Sequence, residues 1–456
     1  VPSLDLAGKT VLPGFIDTHV HFSGLGIITL GLDLRGVRSF QDIAAAVKSY
    51  ISSSRFDGKL IAGFGMMDEL LDERRLPDRH DLDAMCADYP MVLAKGDGHS
   101  TVANTRGLAY LSLKPGVAGA ETDDAGQLTG IMRKEANFFV YSRFSRLFGL
   151  SRSLQGLANA GNLAAARGVT GIHAAEGLGF AGDTDVKGVM TAAPYLQVDV
   201  TVYFQTRDVD RAVKFGLPRI GSCFSTAVDG STSSGTAAFL EPILTGKGGR
   251  GAVYFTQEEL DAYVLKAHTA GLQMNIHAIG DRAIEMIITA YERAIRAVPR
   301  TDHRHRIEHC TYPTREQVER IAAAGVGVST QPGFFYLDGL DSSTAVAGLG
   351  EARARRSMPL SDLFKAGVCV SGSSDAPVTD IDPLLGIQAA VCHPVPEQRV
   401  SVFQAISMFT ANAARNGFAD REKGTLAEGK DADFVVLDQD PFAVAPEEIG
   451  RIKISG

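Results

Sequence analysis

His19 and His21 stand two residues apart at the end of the apolar run Leu12-Pro13-Gly14-Phe15-Ile16-Asp17-Thr18-His19-Val20-His21. Such a run predicts a buried strand, and residues i and i+2 of a strand project to one face. Two imidazoles on one face can converge on a metal ion, and imidazole nitrogen suits zinc, iron, nickel and similar ions. Further candidates close other predicted strands: His277 ends Met274-Asn275-Ile276-His277, and His309 ends Arg306-Ile307-Glu308-His309. Asp375 follows Val370-Ser371-Gly372-Ser373-Ser374. Of 11 histidines in the chain, four thus share with one aspartate the same kind of position. The pattern reads as a metal site. Neutral imidazoles leave the ion's charge intact, so a bound water is acidified toward a pKa of about 7. A carboxylate beside that water can take its proton and later deliver it to a leaving group. Asp375 is expected to do this, and His19, His21, His277 and Asp375 are expected to meet at one site with His309 beside them. The ion is expected to be divalent, with zinc favoured and iron, manganese or nickel open.

These residues need a scaffold that brings many strand ends together. From about residue 155 onward, helical stretches alternate with short apolar strands. Ser153 to Arg167 is Ala- and Leu-rich and precedes the strand Gly168 to His173; Gln257 to Ala270 precedes Leu272 to His277. Ala283 to Ala297 precedes Arg306 to His309, and Arg315 to Ala324 precedes Gly325 to Thr330. Repeated units of this kind imply a parallel sheet. With the His-x-His strand first and Arg219 to Val228 fourth, eight strands can be counted. That predicts an α/β fold, a (β/α)8 TIM-type barrel over residues 13–423, with the chemistry at the C-terminal ends of its strands. Residues of about 55 to 150 are too long for one crossover and carry their own strand signals, Lys59 to Gly63 and Met91 to Lys95, so they predict an inserted substructure. Residues 1–12 and 424–456 are expected to form a small β-sandwich domain.

With 456 residues the chain is long enough for such a barrel and its appendages. The formal charge is −8 and the basic residues are scattered, which leaves no electrostatic footprint for nucleic acid or an anionic membrane. Five cysteines, widely spaced and without a Cys-x-x-Cys pair, read as reduced thiols of a cytoplasmic enzyme. No apolar stretch reaches the roughly 18 residues of a membrane span. The first ten residues do not read as a signal peptide, and because the chain opens on Val1, a leader ahead of it stays open. The expected partner is a small-molecule substrate, with a homo-oligomer compatible.

The ordered motifs resemble the amidohydrolase superfamily, in particular its amidohydrolase-3 branch of YtcJ-like and N-substituted formamide deformylase-like hydrolases. The matching stretches are Pro13 to His21, His277-Ala278-Ile279-Gly280-Asp281-Arg282-Ala283, Ile307-Glu308-His309, Gly372 to Pro377, and Gly429 to Leu437. Leu82-Asp83, Gly98-His99 and Asn104 match within the insertion. The resemblance implies a metal-dependent hydrolase on a (β/α)8 barrel with a companion β-sandwich. It also implies several dozen β-rich residues ahead of Pro13, where 12 stand here, so the sandwich is expected to be incomplete in this sequence. In the same branch the fourth strand commonly carries a lysine four residues before an Asp-Gly-Ser, which bridges two metals once carboxylated. Here Asp229-Gly230-Ser231 is preceded at that spacing by Ser225, which cannot form a carbamate. One tightly held ion is therefore expected. The alternative is two ions bridged in part by Glu135, set against its reading as a solvated helix glutamate.

Other residues carry weaker expectations. His99 and Asn104 are candidates for substrate contact or loop hydrogen bonds. His173 is read as ending the second strand and facing the pocket mouth, as a substrate contact or a support for the ligands. Cys223 could ligate but reads as a core cysteine. His303 and His305, at the barrel's other end, are expected to be solvated, and His80, His268 and His393 carry no signal. The reaction expected is hydrolysis of a C–N bond in an amide, formamide or cyclic amide. A hydrolytic deaminase of an aminated heterocycle is the alternative, and a non-catalytic binding protein on the same barrel is a further one.

Overall fold

The computed structural model describes residues 5–455, except 97, 99, 178–182, 224–225, 233–234, 245–248, 339–345 and 347. The chain divides into two compact units. One comprises Val1–His21, Gly161–Leu178 and Ala193–Gly456, the other Phe22–Ala160 and Gly179–Ala192.

The first unit is the barrel. Its eight strands are β1 (Phe15–Val20), β2 (Val169–Glu176), β3 (Asp199–Gln205), β4 (Arg219–Ser222), β5 (Gln273–Ala278), β6 (Arg306–His309), β7 (Gly327–Thr330) and β8 (Val370–Gly372). They pair in that order, all in parallel. β1, β5, β6, β7 and β8 are buried at every position, as parallel strands covered on both faces must be. The open edge between β8 and β1 is fastened by side chains and loops. Thr18 Oγ1 donates to Gly372 O (3.0 Å), and Asp375 N donates to His19 O (2.9 Å). Helices return the chain between strands, and several carry their own start signals. Thr256 and Glu259 close a capping box on Gln257–Thr269, and Thr314 and Gln317 do so on Arg315–Ala323.

Three departures from the sequence reading have clear causes. β2 runs on to Glu176, so His173 lies inside the strand rather than at its end. Its ring packs against Gly417, where an added Cβ would stand 2.4 Å from His173 Nε2, so only glycine fits there. β4 stops at Ser222 instead of continuing to Val228, which makes Cys223 the first residue beyond it. His303 and His305 are buried rather than solvated. They are neutral links in a chain of bonds: Met274 N donates to His305 Nδ1 (3.1 Å), His305 Nε2 donates to His268 Nδ1 (2.7 Å), His268 Nε2 donates to Val298 O (2.7 Å), His305 N donates to His303 Nδ1 (3.0 Å), and His303 Nε2 donates to Ala324 O (3.1 Å). Every ring nitrogen in that chain has a use, which is what lets imidazoles enter a core.

Thr10–Pro13 pairs antiparallel with Phe434–Leu437, and Leu437 bridges to Ile454, so the two ends of the chain share a small sheet. The second unit begins at Phe22, directly after His21, well before the expected start near residue 55. Its six-stranded sheet runs in the order Leu32–Asp33, Ile61–Met66, Met91–Lys95, Ser100–Ala103, Leu128–Arg133, Ala120–Thr122, first parallel and then antiparallel. Leu34, Ile43, Ile61, Leu82, Met91 and Leu93 form part of its own core. No helix among the described residues is long and apolar enough to cross a membrane.

Candidate metal centre

The C-terminal ends of four barrel strands deliver the candidate ligands. His19 is next to last in β1 and His21 just past it; His277 is next to last in β5, and His309 ends β6. Asp375 follows β8 by three residues. His309 and Asp375 have φ of 67° and 57°, the left-handed region that non-glycine residues seldom enter. Such positions turn the chain sharply where a strand stops, and they concentrate at functional sites. The loop carrying Asp375 is tied down by Asp17, whose carboxylate accepts from Ser374 N (3.1 Å), and by His21 N, which donates to Ala376 O (2.8 Å).

The rings gather closely. His19 and His21 centroids are 5.1 Å apart, His19 and His309 5.3 Å, and His277 and His309 4.4 Å. Asp375 Oδ1 lies 3.3 Å from His19 Nε2 and 3.1 Å from His21 Nε2. His277 joins this group through His309 and Cys223, whose Sγ is 3.9 Å from His277 Nδ1 and 3.9 Å from His19 Nε2. All six residues are at most 8 % exposed.

Hydrogen-bond partners around the cluster decide which ring nitrogen carries the proton. His19 Nδ1 faces Glu308 Oε2 at 2.8 Å, and His21 Nδ1 faces Ala175 O at 3.3 Å. His309 Nδ1 faces Gln331 Oε1 at 2.7 Å, the amide being oriented by its donation to Ser373 Oγ (2.9 Å). His277 Nε2 faces Gly230 O at 3.3 Å and Asp229 Oδ1 at 3.4 Å. Each of these outer partners is an acceptor, so in each neutral ring the outer nitrogen holds the hydrogen. The inner nitrogen of all four rings is then an acceptor, with its lone pair directed into the cluster. Those lone pairs share their space with a carboxylate oxygen and a sulfur. Among the described residues, Asp375 Oδ1 is buried with no hydrogen-bond donor at bonding geometry. A crowd of acceptors facing one another demands positive charge. Protons can supply it: burial alone would lower the basicity of His21 and His277, but Asp375 and Cys223 around the first, and Asp229 and Cys223 around the second, raise them to about 9 and about 10. A divalent cation supplies that charge with fuller geometry. With metal–nitrogen and metal–oxygen distances of about 2.0–2.2 Å, two tetrahedral ligands stand roughly 3.4 Å apart. The His–Asp separations of 3.1 and 3.3 Å fit.

Behind His19 runs a buried ionic chain. Glu308 takes Arg306 Nε on one oxygen and faces His19 on the other. Arg306 also donates to His173 Nδ1 (2.8 Å) and Thr18 O (2.8 Å), and its guanidinium lies 4.3 Å from the Tyr203 ring. Burial works against the Glu308 carboxylate, yet Arg306 and His19 bring its pKa to about 2. Burial and the neighbouring Arg306 keep His173 well below the usual imidazole range, so it stays neutral and accepts from the guanidinium. His173 is therefore a support within the barrel and not a residue of the mouth. Asp229 does for His277 what Glu308 does for His19, and it is itself held by Ala238 N (2.8 Å), Gly280 N (2.9 Å) and Ile279 N (3.0 Å).

Glu308, Arg306 and Gln331 were not singled out from sequence. The signal was present: Arg306 and Glu308 are i and i+2 of one interior strand, and two charges there require each other. Cys223, read from sequence as a core cysteine, lies among the histidines. Asn104 belongs to the second unit, where its side-chain oxygen accepts from Met91 N and Gly107 N and its amide donates to Cys86 O and Tyr89 O. Those four bonds use its whole capacity as a helix cap. Glu135, also in the second unit, is exposed in the first turn of the helix that opens at Lys134, as a solvated glutamate would be. His99 and Ser225 lie outside the described residues.

A family model described as "Amidohydrolase family" matches residues 3–456. The putative amidohydrolase YtcJ of Bacillus subtilis is 27% identical over 99% of this chain and 88% of its own length. The N-substituted formamide deformylase of Arthrobacter pascens is 25% identical over 99% of this chain and 87% of its own. Among solved structures, an uncharacterized metal-dependent hydrolase from Pyrococcus furiosus superposes with a TM-score of 0.77 at 27% identity, covering 96% of this chain and 89% of that one.

Proposed function

The chain belongs to the amidohydrolase family, and from that premise we propose that it cleaves a C–N bond of a small amide, formamide or cyclic amide with the help of bound zinc. The observation that carries the reading is the set of inward lone pairs on His19, His21, His277 and His309 beside the Asp375 carboxylate. Nitrogen, oxygen and sulfur donors at these separations suit zinc among divalent ions. Such an ion, when bound, acidifies a water to near neutrality and polarises a carbonyl.

The chain's own residues do the rest. Glu308 and Asp229 fix the tautomers of His19 and His277 and hold the rings in place. Asp375 takes the proton of the attacking water and hands it to the leaving nitrogen, which departs as a neutral amine. His309 is locked by Gln331, which keeps its Nε2 turned toward the cluster. The similarity to a formamide deformylase supports an acyl–nitrogen bond as the target.

A panel of N-acyl amines, N-substituted formamides and cyclic amides, assayed with zinc-loaded and chelator-treated protein, tests the proposal. Carboxyl and amino groups should appear in equimolar amounts, on separate products from the open-chain amides and on one product from a cyclic amide, and only with zinc. Ammonia released from aminated heterocycles, with all the amides untouched, would refute C–N cleavage of this kind and point to a deaminase.

A further inference from the structure

Two long excursions of the chain leave the C-terminal end of the barrel, residues 223–256 after β4 and residues 331–359 after β7. β5 and β6, which carry His277 and His309, lie between those strands in the sheet, yet the excursions meet. Leu244 N donates to Gly348 O (2.7 Å). Arg353 makes the larger tie. Its Nη1 donates to Glu241 O (3.1 Å), its Nη2 to Pro242 O (2.7 Å) and its Nε to Leu349 O (2.7 Å). One planar guanidinium thus joins carbonyls of both excursions, which suits its rigid fork of donors and not a compact ammonium. Beneath the tie lies a small core of its own. Ala237 and Phe239 come from the first excursion, Ile279 and Tyr312 from the turns after β5 and β6, and Leu349 from the second excursion. The Phe239 and Tyr312 rings are 5.6 Å apart. The loops after β4, β5, β6 and β7 therefore form one arch.

The arch bears on the residue that orients His277. Ala238, between two members of that core, donates its N–H to Asp229 Oδ2 (2.8 Å) and accepts from Arg282 N (3.1 Å). It is pressed onto Gly280, where an added Cβ would stand 1.9 Å from Ala238 O, so the segment has no slack on that side. Leu240 N donates to Asp281 Oδ1 (2.7 Å) and holds the other side. Asp229 is 0 % exposed, and its amide donors Ala238, Ile279 and Gly280 all belong to the arch. The donors that satisfy a buried carboxylate also fix where it sits. Its Oδ1 then faces His277 Nε2 at 3.4 Å.

We propose that Arg353 is a positioning residue for His277: by tying the excursion after β7 to the one after β4, it holds Ala238 against Asp229 and keeps the imidazole aimed into the cluster. The inference rests on the reading of that cluster as a metal centre and adds to it a residue that touches none of the candidate ligands.

A double-mutant cycle read by zinc affinity, from competition with a chelating dye on the full chain, tests this. Arg353→Lys keeps the charge and an aliphatic stem but loses the fork. Asp229→Ala should weaken zinc binding by roughly 10–100-fold, as removal of an outer partner does, and Arg353→Lys by about 10-fold, the lower end of that range. The double variant should bind no more weakly than Asp229→Ala, because the route through Asp229 is already cut. Losses that multiply would make Arg353 a general stabiliser and overturn the proposal, and so would wild-type affinity in Arg353→Lys. Should Asp229→Ala fail to fold, the imidazole N–H signals of isotope-labelled histidine in metal-free Arg353→Lys decide. The His277 signal should shift while those of His303 and His305, at the far end of the barrel, stay in place. An unchanged His277 signal would overturn the proposal. Wild-type protein that binds no zinc would refute the metal-centre reading instead, and the His277 signal would still show whether Arg353 positions the ring.

Discussion

Asp375→Asn is expected to lower turnover by about 10²-fold or more, the scale on which general acid–base catalysis contributes. Asparagine keeps the shape of the side chain and an oxygen ligand, but cannot carry the proton. The carboxylate is 6 % exposed, and its Oδ1 lies between His19 Nε2 and His21 Nε2. Burial would push its pKa up, yet in the metal-free chain, where protons on His19 and His21 supply the positive charge, those two imidazoles hold it well below the usual carboxylate range. The four histidines remain in the variant, so most of the metal should stay. Turnover and metal content measured on one preparation separate the roles. Loss of turnover with metal retained assigns Asp375 to proton transfer. Near-normal turnover would move that role to another group.

Arg306→Met is expected to destabilise the barrel by about 3–5 kcal/mol, the cost of leaving a buried charge without its partner. Arg306 and Glu308 are both 0 % exposed, and the guanidinium also bonds His173 and Thr18. Methionine fills much of the volume, so the loss is of charge compensation rather than of packing. Adding Glu308→Leu removes the stranded carboxylate, and the double variant should recover a large part of the stability, because a fully apolar replacement of such a pair is often neutral. It should not recover metal affinity, since His19 then lacks the acceptor that orients it. Denaturant unfolding of metal-free wild type, single and double variants gives the comparison. A single variant within about 1 kcal/mol of wild type would mean that the pair is not the closed, water-free unit its geometry describes.

The barrel was legible because its signals are local and repeated. Short apolar strands after amphipathic helices, with capping residues such as Thr256 and Thr314, specify a parallel sheet at the level of neighbouring residues. The positions of His19, His21, His277, His309 and Asp375 followed from one rule, that strand ends share a face of the barrel. Where that rule depended on an exact strand length, the reading slipped. Three more residues in β2 moved His173 from the expected mouth into the interior, and an early end of β4 put Cys223 among the histidines. The partners of the ligands were harder still. Glu308 behind His19 and Gln331 behind His309 are set by contacts between strands, which single-chain periodicity does not encode. His303 and His305 looked like solvated loop residues because only the folded chain brings His268 and the Met274 amide beside them.

The most direct test of a metal centre at the C-terminal end of the barrel is anomalous diffraction from crystals of the zinc-loaded chain, recorded on both sides of the zinc edge. The account predicts an anomalous peak about 2.0–2.2 Å from Nε2 of His19, Nε2 of His21 and Oδ1 of Asp375, with His277 and His309 turned toward the same cluster. Zinc found only at surface carboxylates or histidines, with nothing bound between His19, His21 and Asp375, would contradict it.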